Sequence, residues 1–153
     1  MIDYILTLIV SFLGVFLGGI LALISPEELK PGKKYFKIVG WAVLIALLAL
    51  SLYFSQIIWF ILIAVLILFL KVFNREYPAL AFVLFFSFFA DFLFIAASMI
   101  FIYGLPLGTL QASEKIKGKI TRKKIKHLIS FIAKNNIAYI IFGLILSILI
   151  FFI

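Results

Sequence analysis

The sequence predicts an all-α integral membrane protein with five to six transmembrane helices and one basic amphipathic helix at the membrane interface. Hydrophobic residues make up 67% of the 153 residues, whereas soluble domains average roughly 45–50%. A soluble fold of this size has too little interior for that much apolar surface, so lipid must be the solvent. Long apolar segments alternate with short basic ones, as in a chain that crosses a bilayer repeatedly. The length predicts a single polytopic domain over residues 1–153.

The first apolar segment, Ile2–Ile24, is long enough as a helix to cross about 30 Å of hydrocarbon. Its small residues recur at spacings of three and four, which places them on one helical face: Ser11, Gly14, Gly18, Ala22 and Ser25. Small side chains allow two backbones to approach closely, and close packing drives helix association in lipid. The stripe therefore predicts a helix-packing face, with its partner in the same chain or in another.

A polar stretch, SPEELKPGKKYF, follows from Ser25. Ser25 and Glu28 have the spacing of a helix capping box, with Pro26 at the first helical position. Pro31 and Gly32 then fit the central positions of a type II turn. The stretch resembles small archaeal membrane proteins of unassigned function, a resemblance that covers about twelve residues and implies no activity.

The next apolar segment, residues 38–72, would form a helix of about 52 Å, which is too long for one crossing. It carries basic residues at both ends, so it predicts a helical hairpin that turns near Ser55 and Gln56. The segment that begins at Pro78 allows two interpretations. Residues 78–103 form one helix with Asp91 near its middle and a helix stop at Gly104 and Pro106. Alternatively, residues 78–112 form a second hairpin with Asp91 at the outer turn.

The charge count favours the second interpretation. Of the 14 Lys and Arg residues, five crossings would place six on one side and eight on the other. An even number of crossings between Glu76 and Lys115 places all of them on one side, which agrees with the usual bias of basic loops. Six spans, or five with a re-entrant segment after Pro78, are therefore preferred. A re-entrant segment requires that its backbone be buried in protein.

A basic arm, residues 113–136, precedes the last apolar segment. It contains eight of the basic residues: Lys115, Lys117, Lys119, Arg122, Lys123, Lys124, Lys126 and Lys134. Apolar residues recur in it at helical spacing from Ile125 to Ile132, with cations on the remaining surface. This pattern is typical of a helix that lies in the interface and contacts anionic headgroups. Residues 137–153 then form the final span.

Asp91 and Ser87 are the candidates for chemistry, as an ion or proton site, because Asp91 is the only acid well inside an apolar segment. Packing or a turn is the competing explanation for both residues. The chain has no cysteine, and its single His127 has no second ligand at metal-binding spacing. Neither a cofactor nor a metal is predicted, and no catalytic motif is present.

These observations favour a non-enzymatic structural or accessory subunit of a membrane complex. The alternative is a small ion- or proton-coupled transporter or channel that uses Asp91. The expected partners are anionic headgroups and other membrane subunits or a second copy. Nucleic acid is not expected, since no aromatic residues interleave with the cations of the basic arm. The predicted location is the cell membrane, with the N-terminus outside and the basic loops in the cytoplasm.

Overall fold

The structure is a computed structural model that describes residues 2–54, 77–115 and 122–152. These residues form helices and no strand, so the predicted all-α class is confirmed. The five α-helices are α1 Ile2–Ile24, α2 Leu29–Phe54, α3 Leu80–Phe89, α4 Leu93–Lys115 and α5 Arg122–Phe152, and two 3-10 helices cover Pro26–Glu28 and Tyr77–Ala79. Four of the α-helices, α1, α2, α4 and α5, are long and apolar enough to cross a membrane. The count of five to six spans remains a prediction, because residues 55–76 lie outside the described ranges.

The junction between α1 and α2 differs from the prediction in two ways. Ser25 makes no side-chain capping bond, and its carbonyl oxygen instead accepts a bond of 3.3 Å from the Glu28 amide. The predicted type II turn is wrong, because α2 already begins at Leu29 and runs through Pro31 and Gly32. Proline is tolerated there because the first turn of a helix has free N–H groups in any case. The predicted turn near Ser55 and Gln56 lies outside the described residues.

Residues 77–115 form a helical hairpin, so the interpretation of residues 78–103 as one helix is wrong. The chain turns at Ala90 and Asp91, and Asp91 has a φ of 55°. The two arms are unequal, however, with 10 residues in α3 and 23 in α4. At 1.5 Å per residue α3 is about 15 Å long, half of the hydrocarbon thickness. The helix stop predicted near Pro106 is absent, and α4 continues to Lys115.

Residues 122–136 of the basic arm do not form a helix separate from the final span. Residues 122–152 make one uninterrupted helix of 31 residues, which joins the C-terminal part of the arm to the final span. Leu128 and Ile132, from the apolar face of the arm, are buried within the protein. Burial against the bundle replaces the expected burial against lipid, so this face continues the packing surface of the span. Ile129 remains exposed.

Contacts between residues of different helices define the helix directions. Gly14 of α1 faces Phe101 of α4 and Gly18 faces Leu105, so these two helices run parallel. The α5 helix runs antiparallel to α1, since Ile132 contacts Gly19 whereas Gly143 contacts Leu8. The α2 helix runs antiparallel to α4, with Gly40 beside Tyr103 and Phe54 stacked on Phe92. The C-terminal ends of α1 and α4 therefore share one end of the bundle with the N-terminal ends of α2 and α5.

The α3 helix occupies only half of the bundle. The Tyr77 hydroxyl, just before α3, donates to the carbonyl oxygen of Ser11 in the middle of α1. Near the other end of α3, the Phe88 ring contacts Tyr4 at a centroid distance of 6.1 Å. The short helix thus begins at mid-depth and ends at the N-terminal end of α1. Five of its ten residues are apolar and buried, which fixes it among α1, α4 and α5: Leu80, Ala81, Val83, Leu84 and Phe85.

Candidate functional site

The two ion or proton candidates, Asp91 and Ser87, have different surroundings in the structure. Asp91 is exposed at the α3–α4 turn, at the same end of the bundle as Asp3. Ser87 is fully buried one helical turn earlier, and its hydroxyl donates to the Leu84 carbonyl of its own helix at 2.7 Å. The two side chains are therefore in different environments. Asp91 has the position that the hairpin interpretation gave it, at a turn rather than at membrane depth.

The small-residue stripe of α1 packs against α4. Of the five residues in the stripe, Ser25 is half-buried and the other four are buried: Ser11, Gly14, Gly18 and Ala22. A Cβ on Gly14 would overlap the carbonyl oxygen of Phe101, and one on Gly18 would overlap that of Leu105. The absence of side chains thus lets the backbone of α4 lie directly on α1, as expected for small residues at helix contacts in lipid.

The α4 side of this contact has its own pair of glycines, which the sequence analysis did not single out. A Cβ on Gly104 would lie 2.7 Å from the Val15 amide nitrogen, and one on Gly108 would overlap the Val15 carbonyl oxygen. Thr109 adds a hydrogen bond of 3.0 Å from its hydroxyl to the Gly18 carbonyl. We call Gly14, Gly18, Gly104 and Gly108 the glycine seam. The spacing Gly-x-x-x-Gly in α4 is the sequence signal that would have identified the partner.

A cluster of hydroxyl groups lies in the centre of the bundle, where α1, α5 and the start of α3 meet. The hydroxyls of Ser11 and Tyr139 are 2.7 Å apart, and the Tyr77 hydroxyl donates to the Ser11 carbonyl at 3.1 Å. The Tyr77 and Tyr139 rings contact each other at a centroid distance of 4.7 Å, and Tyr103 stacks on the other side of Tyr77. This tyrosine cluster pairs buried polar atoms and fills the space around them with aromatic rings.

A pair of amides links α4 to α5. The Asn136 side-chain nitrogen donates to the Gln111 side-chain oxygen at 2.8 Å, and Gln111 returns a bond of 3.3 Å. Asn136 is buried and also donates to the Ile132 carbonyl. Interhelical amide bonds of this kind stabilise helix association. The sequence does not predict this pair, because nothing distinguishes a buried Asn136 from its exposed neighbour Asn135 in the basic arm.

The basic residues of the described chain gather at one end of the bundle. Lys33 and Lys37 are exposed at the start of α2, and Lys126 and Lys134 are exposed in the first half of α5. Lys115 ends α4, and its Nζ lies 4.6 Å from the centroid of the Phe131 ring, which is a cation–π contact. Of the other predicted arm residues, Arg122, Lys123 and Lys124 begin α5, whereas Lys117 and Lys119 lie outside the described ranges.

A cavity of about 650 Å³ opens at this basic end, between α2 and α4 and beside the α5 residue Asn135. Lys33 and Lys37 lie on its α2 side, one helical turn apart, and Glu114 lies on its α4 side. Deeper in, the wall becomes apolar and includes Gly40, Trp41, Tyr103, Pro106 and Leu107. The cavity therefore combines a charged rim with an apolar floor. We call it the basic-end cleft.

Together, these features define a helical multi-pass membrane protein whose described charged groups lie toward the ends of the bundle and whose buried polar groups are mostly paired, with the Tyr4 hydroxyl as an exception. Within the described ranges, no three His, Asp or Glu side chains come close enough to hold a metal ion. Comparison of the chain with protein-family models, curated proteins and solved structures finds no match. The functional argument therefore depends on the geometry of this chain.

Proposed function

We propose that the protein is a non-enzymatic structural or accessory subunit of a membrane complex. The main support is the way the described bundle is filled: the glycine seam and the tyrosine cluster occupy its interior, and the charged side chains lie toward its ends. A transporter needs a solvated or ionisable path at membrane depth. The described helices offer close backbone contact there instead, together with hydroxyls that carry no charge; those of Ser11, Tyr77 and Tyr139 are hydrogen-bonded, and that of Tyr4 is not.

The outer surface of α1 also supports a role in assembly. Leu13, Leu17 and Leu21 follow one another at helical spacing and are 43–52% exposed. They form an apolar ridge on the helix that carries the glycine seam. Such a ridge matches either lipid chains or an apolar helix of another subunit. Because the glycine seam is used within the chain, any partner would contact a surface other than the small-residue stripe.

We further propose that the protein lies in the cell membrane with its basic end in the cytoplasm. Lys33, Lys37 and Lys115 share one end of the bundle, and Asp3 and Asp91 share the other. Basic residues at the ends of spans normally stay on the cytoplasmic side. The N-terminus, at the acidic end of α1, would then face outside.

Single cysteines test this orientation, since the natural chain contains none. In intact cells, a membrane-impermeant maleimide should label Asp91→Cys and should not label Lys37→Cys or Lys115→Cys. Permeabilised cells provide the control, in which all three should react. The reverse pattern would contradict the orientation. Labelling of Lys37→Cys and Lys115→Cys from opposite sides would contradict the helix directions themselves.

Two measurements test the proposed role: the protein mass of the native assembly and the ion flux through the purified protein. The full chain is extracted together with native lipid into nanodiscs, and the protein mass of the particle is measured. We expect a defined assembly larger than the 17.4 kDa of one chain, with a second copy or a stoichiometric subunit. In liposomes the purified protein should carry no proton or cation flux. A flux that Asp91→Asn abolishes while the fold survives would establish the transporter instead, and a solitary chain in the nanodisc would also contradict the proposal.

A further inference from the structure

We infer that the basic-end cleft is a binding site for one phospholipid with an anionic, hydroxyl-bearing headgroup. Its volume of about 650 Å³ is within the range of roughly 300–1,000 Å³ typical of small-molecule sites. The site is separate from the glycine seam and the tyrosine cluster. It is also independent of the proposed role as a subunit, since any function in a bilayer is compatible with a bound lipid.

The charges on the rim indicate what the headgroup must be. Lys33 and Lys37 are four residues apart on α2, so they project from the same helical face toward the cleft. Two ammonium groups on one side favour a phosphate diester, which carries one negative charge. Glu114 and Asn135 on the facing helices offer acceptor and donor groups for headgroup hydroxyls. A free phosphate would satisfy the lysines but would leave the deeper wall uncovered.

The deeper wall indicates that the ligand also has an acyl chain. Pro106 and Leu107 line it from α4, and Trp41 lines it from α2 and is 44% exposed. Gly40 leaves space, because a Cβ there would meet its nearest neighbour, Tyr103, only at 3.8 Å. The cations at the rim would contact the headgroup of a phospholipid in the leaflet, and the apolar wall below them would contact its acyl chain. Most side chains at this depth are apolar, so an entirely polar ligand would leave most of its polar groups unpaired there.

Tryptophan fluorescence provides a direct test, because Trp41 lines the cleft and the chain contains only two tryptophans. In a Trp59→Phe chain, Trp41 is the sole emitter. The full-length protein is placed in two kinds of phosphatidylcholine vesicle. One contains phosphatidylglycerol with brominated acyl chains, and the other contains phosphatidylcholine with brominated acyl chains. Bromine quenches tryptophan fluorescence on contact. We expect quenching to show a preference for phosphatidylglycerol on the order of twenty-fivefold, since each of the two lysines near an anionic headgroup contributes a factor of about five.

Variants distinguish the cleft from general attraction to the basic surface. Lys33→Gln or Lys37→Gln should each lower the preference about fivefold. Lys34→Gln is the matched control: Lys34 is an exposed neighbour on α2 that does not line the cleft, so the preference should remain. Gly40→Leu should fill the cleft and remove the preference with both lysines in place. Gly40→Ala, whose methyl group fits, should retain it, which separates blocking of the cleft from damage to α2.

Several outcomes would overturn the inference. Equal quenching by the two brominated lipids would mean that no anionic lipid is selected. A loss with Lys34→Gln as large as that with Lys33→Gln would assign the effect to the surface field of the whole basic end. Displacement of brominated phosphatidylglycerol by millimolar inorganic phosphate would show that the cleft recognises a free anion rather than a lipid.

Discussion

Replacement of Gly18 by alanine tests whether the glycine seam sets the distance between α1 and α4. The new methyl group would overlap the Leu105 carbonyl oxygen, which belongs to the backbone and cannot rotate away. To restore ordinary contact, the two helices must separate by roughly 1 Å. The hydrogen bond from Thr109 to the Gly18 carbonyl, 3.0 Å long in the natural protein, would lengthen by a similar amount.

The expected change in the free energy of unfolding is the sum of three contributions. Overpacking at a tight contact costs about 1–3 kcal/mol, and a weakened interhelical hydrogen bond costs about 0.6 kcal/mol in a membrane protein. Alanine regains up to about 1 kcal/mol, because it is a better helix former than glycine. We therefore expect Gly18→Ala to lower the free energy of unfolding by about 1–2.5 kcal/mol. Gly108→Ala should behave in the same way, since its methyl group would overlap the Val15 carbonyl oxygen.

The assay is reversible unfolding in mixed micelles, followed by circular dichroism as the fraction of denaturing detergent rises. Gly40→Ala is the control, because its methyl group meets only side-chain atoms at 3.8 Å and beyond; it should be neutral or slightly stabilising. The double variant Gly14→Ala, Gly18→Ala should cost less than the sum of the single variants, since one displacement of α1 relieves both overlaps. If Gly18→Ala proves as stable as Gly40→Ala, close backbone contact does not hold α1 against α4, and the reasoning fails.

Three further predictions concern polar groups. Ser11→Ala leaves the buried Tyr139 hydroxyl without this partner and should cost about 1–3 kcal/mol of unfolding free energy; adding Tyr139→Phe should recover part of that loss. Asn136→Leu should cost about 1–2 kcal/mol, and a double-mutant cycle with Gln111→Leu should show a favourable coupling energy of about 0.6 kcal/mol between the amides. At Asp91, whose φ is 55°, asparagine should leave the fold and assembly nearly intact, whereas valine should cost at least about 1 kcal/mol, because β-branched residues avoid this conformation.

These three predictions share the unfolding assay and have separate controls. Ser98→Ala is matched to Ser11→Ala, since the Ser98 hydroxyl is exposed and bonds only to its own helix; its loss should be small. If Tyr139→Phe adds its full cost to that of Ser11→Ala, the two hydroxyls do not depend on each other. A coupling energy of zero between the two amides would mean that their contact does not contribute to the free energy of unfolding. Equal stability of the asparagine and valine variants would contradict the backbone geometry at Asp91.

The sequence predicted the helical class and the first span closely, because both depend on local apolar content. It predicted the face of α1 that carries Gly14 and Gly18, because the 3.6-residue period alone places them together. It did not identify what that face contacts. That choice depends on the position of Gly104 and Gly108 some 90 residues later in the chain, and periodicity within one segment carries no information about a second segment.

The errors have a common physical cause, which is that local signals were overridden by packing between helices. Pro31 and Gly32 have turn chemistry, yet a proline in the first turn of a helix costs little, so α2 extends through them. Pro106 resembled a helix stop, yet α4 continues past it where Gly104 and Gly108 hold it against α1. Likewise, the basic arm resembled an interfacial helix, since its apolar stripe suits lipid as well as it suits the bundle.

The half-length α3 helix explains why tyrosine hydroxyls lie in the middle of the bundle. A helix that begins at mid-depth exposes the free N–H groups of its first turn where no water can bind them. Pro78 has no N–H and so removes one of these donors. The 3-10 turn at the start is enclosed, with Tyr77 and Ala79 at most 2% exposed. The Tyr77 hydroxyl then bonds to the Ser11 carbonyl, and the Ser11 hydroxyl bonds to Tyr139. The tyrosine cluster therefore packs around the start of α3 and encloses it within the protein.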